Sequence, residues 1–105
     1  MDRSPRDALQ EIPGVGPAMA ADLRLLGVDE VADLRGRDPQ RLYEGLEALM
    51  RTHVDRCVLY VFRCAVYWAG TSRPDPELSQ WWSWKDGGEA ERRGLIPPAG
   101  RAATT

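Results

Sequence analysis

The chain is poor in histidine and cysteine, from which many catalytic and metal-binding sites are made. Its 105 residues contain one histidine, His53, and two cysteines, Cys57 and Cys64. Two cysteines are too few for a disulfide scaffold, and both are expected as reduced thiols. The three residues share one helical face. Seven helical residues at 1.5 Å each nevertheless hold Cys57 and Cys64 roughly 10 Å apart, too far for a shared tetrahedral site or a disulfide. No CxxC or HxxxH completes a ligand set, so no metal and no cofactor are expected. No nucleophile stands beside a base and an oriented carboxylate in a recognisable pattern. No catalytic residue is therefore assigned, and the chain reads as not an enzyme.

Net positive charge is also lacking, although fourteen residues are basic. Lys85 is the only lysine, and the formal net charge is -2, which excludes a protein that coats nucleic acid by bulk charge. Any anion site must be local. Long apolar runs are missing too: "CVLYVFRCAVYWA", from Cys57 to Ala69, is interrupted by Arg63 and is too short to span a bilayer. The start, "MDRSPRDALQ", lacks an apolar segment after a basic one, so a cytoplasmic protein without a membrane partner is expected. No stretch alternates apolar and polar residues long enough for a strand, which leaves an all-α fold of a size that fits one small domain.

Helical periodicity is what the chain does have. A first short helix is expected from about Pro5 to Ile12. Pro13, Gly14, Val15 and Gly16 turn the chain, and Pro17 opens a second helix where its missing N–H is harmless. That helix carries Met19, Ala20, Leu23 and Leu26 on one stripe and stops at Gly27. Asp29 is expected to cap a third short helix with Val31 and Leu34. Asp38 and Pro39 start a fourth, predicted to bury Leu42, Leu46, Leu49 and Met50. After a turn near His53, a fifth presents Val54, Cys57, Val58, Val61, Cys64, Ala65 and Trp68. Its other face holds Leu59, Tyr60, Phe62, Val66 and Tyr67, so it must lie centrally or meet a partner. Asp75 and Pro76 open a last helix through Leu78, Trp81 and Trp82. Residues 1–86 thus form five or six helices in one domain, and residues 87–105, rich in Gly, Pro, Ala and charge, read as a flexible tail.

"EIPGVGPAMAADL", residues 11 to 23, is the most constrained stretch. The glycines permit a tight turn, Val15 pegs it to the core, and the small Ala20 lets two helices approach. The pattern resembles the helix-hairpin-helix motif of DNA-handling proteins, in a SAM-like arrangement. "LLGVDEVADLRGRDPQRL" looks like a second, degenerate hairpin turning at Gly36. With "DRCVLYVFRCAVYWA" and "WWSWKD" further on, residues 7 to 86 resemble the small bacterial "pathogenicity locus" family, some of whose members are labelled mitomycin resistance proteins.

The resemblance implies sequence-independent DNA binding, in which backbone N–H groups at Gly14, Val15, Gly16, Ala18 and Met19 meet phosphates. A helix N-terminus supplies unpaired donors and about half a positive charge for this. Where such hairpins commonly carry Lys or Arg, this chain has Ala18 and Met19. The electrostatic candidates are instead Arg35, Arg37 and Arg41, with Asp33 and Asp38 among them, so binding should be weak and salt-sensitive. The alternative is a protein adaptor or homodimer meeting its partner through Tyr60, Tyr67 and Trp84, with the hairpin purely structural. Trp81 and Trp84 share a face with Leu78 and read as anchors for the terminal helix, while Trp82 points elsewhere.

Overall fold

The computed structural model describes residues 8–95. Every element among them is helical, in four α-helices and four 3-10 helices. The order is η1 (Ala8–Glu11), α1 (Pro17–Leu25), η2 (Val31–Leu34), α2 (Pro39–Met50), α3 (Arg56–Ala69), η3 (Glu77–Ser79), η4 (Trp81–Trp84) and α4 (Glu89–Arg92).

The helix starts follow from local chemistry. Pro17 and Pro39 open α1 and α2 at the first helical position, where φ is already helical and no N–H is lost. Asp38 accepts from Gln40 N at 2.9 Å, and Asp55 accepts from Cys57 N at 2.8 Å, so α2 and α3 both start under a carboxylate cap. The third helix differs from expectation. Its N-cap is Glu30 rather than Asp29, because the Asp33 carboxylate accepts from both Asp29 N and Glu30 N at 3.1 Å and thereby fixes the helix one residue later. Of the first expected helix, residues 8–11 form a 3-10 helix, and Pro5 lies outside the described residues.

α3 is the central element. It packs on α2 on one side and on η4 on the other, with η2 and η3 at its flanks. Leu59, Phe62 and Ala65 of α3 meet Leu9, Ile12, Val15, Leu23, Leu34 and Leu46 in the main core. A second, smaller core joins Cys64 to Leu78, Trp84 and Ala90. The nearly all-round apolarity of α3 is thus matched by cover on both faces from within the chain.

Three further expectations are corrected. Leu49 and Met50 are exposed, and Tyr43 takes a core position instead: α2 turns its buried stripe through Leu42, Tyr43 and Leu46 and ends at Arg51 in the left-handed conformation. Cys57 is exposed in the first turn of α3, while Cys64 is buried. Past residue 86 the chain does not simply trail away: Glu89–Arg92 forms one helical turn whose Ala90 is fully buried. The rest of the expected tail, 96–105, lies outside the described residues.

Candidate nucleic-acid interface

Two turns of the same construction precede the two helices that start with proline. In the first, Gly14 has φ +87°, Val15 N donates to Ile12 O at 3.0 Å, and Pro17 follows Gly14 by three residues. In the second, Gly36 has φ +74°, Arg37 N donates to Leu34 O at 3.1 Å, and Pro39 follows Gly36 by three. Ile12 and Leu34, each two residues before its glycine, are both buried. Only glycine adopts such φ values without strain.

Gly16 does not need that freedom. Its φ of -97° is open to any residue, and a Cβ there would meet nothing within 4 Å. What Gly16 provides is an uncovered helix start. As the N-cap of α1 it has no side chain to accept from the first turn, and among the described residues the N–H groups of Gly16, Ala18 and Met19 meet no acceptor. The equivalent position at α2 is Asp38, whose carboxylate accepts from Gln40 N and places a negative charge at that N-terminus. The two turns are alike in backbone and opposite in charge at the helix start: α1 is open to an outside anion, and α2 already holds an internal one.

The structure does not gather all the expected site residues. Leu26, just past α1, lines a cleft of about 170 Å³ with Arg37, Asp38, Arg41 and Leu42. Gly16 lies at the other end of α1, about 15 Å away at 1.5 Å per residue. Arg41 is 86% exposed and only 4.0 Å from the Asp38 carboxylate. Arg37 has no ionic partner among the described residues. Arg35 acts differently, since its Nε donates to Ala69 O at 3.0 Å and ties η2 to the last turn of α3. Val15, one of the hairpin candidates, is buried as the expected peg, while Ala18 is exposed and Met19 half-buried. Gly14 is itself exposed, but a Cβ added there would lie 3.6 Å from Trp81 and 3.7 Å from Val61. The hairpin therefore rests on α3 and η4.

The surface expected at Tyr60, Tyr67 and Trp84 is largely covered by the chain itself. Trp84 is 3% exposed, its indole N–H donating to Leu78 O at 2.8 Å. Tyr67 packs on it with ring centroids 5.2 Å apart, and its hydroxyl accepts from Asp75 N. Tyr60 donates its hydroxyl to Asp86 at 3.2 Å. Asp86 is the residue that the sequence reading missed. It accepts from Arg56 Nε at 2.6 Å and from Arg63 at 3.1 Å, and Arg63 also donates to Trp84 O. Both guanidinium groups lie over the Tyr60 ring, at 6.0 and 5.7 Å. The Arg56 hydrogen bond, then Arg63, holds the Asp86 carboxyl down at about 2. The two arginines of α3 are thus engaged in fastening η4 to α3.

The remaining candidates do not form a site together. His53 pairs with Glu47 at 3.0 Å in the turn after α2. Burial pushes the Cys64 thiol up to about 11, consistent with a small apolar core residue. Among the described residues no group of His, Cys, Asp and Glu is arranged to hold a metal ion, and no helix is long and apolar enough to cross a membrane.

A small all-helical protein, built from two glycine turns and a central helix clasped on both sides, is the class these features define. The family can be named: residues 2–90 match the model of the family described as "Pathogenicity locus", and the chain belongs to it. Over 66 residues it is 35% identical to the mitomycin resistance protein McrB of Streptomyces lavendulae, a match covering 63% of each chain. No solved structure matches it.

Proposed function

We propose that the Gly14 turn and α1 form a helix-hairpin-helix element, that Gly36 and α2 form its degenerate second copy, and that the protein is a non-catalytic module binding the DNA backbone without reading bases. The observation that carries this reading is the difference between the two helix starts. The backbone turn is repeated, yet the first copy starts without a side-chain cap, its Gly16, Ala18 and Met19 N–H groups meeting no acceptor among the described residues and with open space at Gly16, whereas in the second the Asp38 carboxylate sits at the start and accepts from Gln40 N. A phosphate oxygen is the ligand the uncapped start accepts, since those N–H groups meet no acceptor among the described residues and the helix dipole favours negative charge. Arg37 and Arg41 lie about 15 Å along α1, so they would meet a different phosphate of the same duplex. Arg35 is mainly a structural tie.

The arginine contribution is tested by comparing labelled duplex DNA binding to wild type and to an Arg37→Gln/Arg41→Gln double variant. Each lost phosphate contact should flatten the slope of log affinity against log salt by about 0.9. An unchanged slope with the fold intact would remove these arginines from the interface. Asp38→Ser gives the complementary test. It keeps an N-cap acceptor and deletes the carboxylate plugging α2, so duplex binding should strengthen several-fold.

A further inference from the structure

Trp82 is left over by the fold. Trp84 is buried and Trp81 packs against the hairpin, so these two anchor η4, whereas Trp82 is 53% exposed and touches Trp81 edge-on at a centroid distance of 5.8 Å. Its indole lines an open cleft of about 470 Å³ with Glu77, Gln80, Ser83, Lys85 and Arg92, a volume within the range of sites for small or flexible ligands. The lining is otherwise polar. Glu77 is held by Arg93 at 3.2 Å and Glu89 by Arg92 and Arg93 at 2.9 and 2.7 Å, and Arg93 also reaches Asp75 at 3.1 Å, so both lining carboxylates are ion-paired, with two arginines serving three carboxylates. The Ser83 hydroxyl donates to Glu77 O. The Gln80 side-chain amide and the Lys85 ammonium have no partner among the described residues.

One flat apolar face ringed by polar groups suits neither a hydrophobic protein partner nor a second copy of the chain, which would need a continuous apolar patch. It suits a ring that is apolar on its faces and polar at its edge. We propose that this cleft takes an unpaired base of single-stranded DNA, with Trp82 as the stacking face, the Gln80 amide on the base edge and the Lys85 ammonium on an adjoining phosphate. Base stacking on an exposed aromatic is tolerant of sequence, and Lys85, the one lysine, supplies a positive charge at the cleft. The cleft uses none of the residues assigned to duplex binding, so either reading can fail without the other.

The test is fluorescence anisotropy of a labelled fifteen-nucleotide oligo-dT and of a blunt duplex, titrated at low salt with wild type, Trp82→Ala, Lys85→Gln and Gly16→Leu, the fold of each checked by circular dichroism. Trp82→Ala is expected to weaken oligo-dT binding about tenfold and leave duplex binding within twofold. Lys85→Gln should weaken oligo-dT less and flatten its salt slope by about 0.7. Gly16→Leu should lose duplex binding alone. Oligo-dT binding that is absent in wild type, or unchanged in folded Trp82→Ala, overturns the proposal. Should Trp82→Ala fail to fold, an unchanged oligo-dT slope in Lys85→Gln overturns it instead.

Discussion

Gly14 and Gly16 are two residues apart and have opposite roles, which substitutions should separate. Gly14 sits at φ +87°, so Gly14→Ala should cost about 1 kcal/mol through backbone strain, seen as a lower melting temperature in thermal denaturation. Gly16 is extended with nothing within 4 Å of a Cβ, so Gly16→Leu should cost less than about 1 kcal/mol, the scale of a changed N-cap. The sequence could not assign these roles. A glycine required for its backbone angle and one that only leaves space produce the same letter. Trp82 and Trp84 show the same limit: helical spacing put them on different faces, but which face the chain itself would cover depended on contacts with α3.

Among the elements, helix starts were the most legible, because they depend on residues next to each other. Pro17, Pro39 and Asp38 did as the sequence indicated. Asp38→Ala should therefore destabilise the protein by about 1 kcal/mol, while Asp38→Ser recovers most of that loss in chemical denaturation. The central position of α3 was also readable from its apolar faces. The identity of its second cover was not, since η4 is a four-residue 3-10 helix with no periodicity to recognise, and its lock, Asp86 on Arg56, joins residues 30 apart in sequence. That lock has a pH signature. The Asp86 carboxyl lies at about 2 when folded against an ordinary 3.8, so the unfolded chain takes up its proton first on acidification. The stabilisation is complete above about pH 4 and is lost as pH falls towards 2. With the side chain partly exposed to solvent, it amounts to about 1–2 kcal/mol. Denaturant unfolding from pH 5 to 2 should show that loss in wild type, and Asp86→Asn should be less stable at pH 5 and lack this part of the acid dependence.

For the molecule as a whole, a net charge of -2 means that long-range attraction cannot bring it to DNA, and binding must rest on a few oriented groups. Family membership was within reach of the sequence because the hairpin, the α3 stretch and the tryptophan cluster are contiguous motifs. The carboxylate at the α2 start was legible too, as the Asp38 N-cap, whereas the distance of Arg37 and Arg41 from the α1 start was not, since it depends on how the two turns pack. The most direct measurement is the anisotropy of a labelled duplex titrated with wild type and Gly16→Leu at low and physiological salt. Weak binding that falls with salt, with a slope no steeper than about -3 for so few phosphate contacts, and that disappears in folded Gly16→Leu, is the result expected if the α1 start holds a phosphate. Equal binding by the two proteins, or none by wild type at low salt, would contradict it.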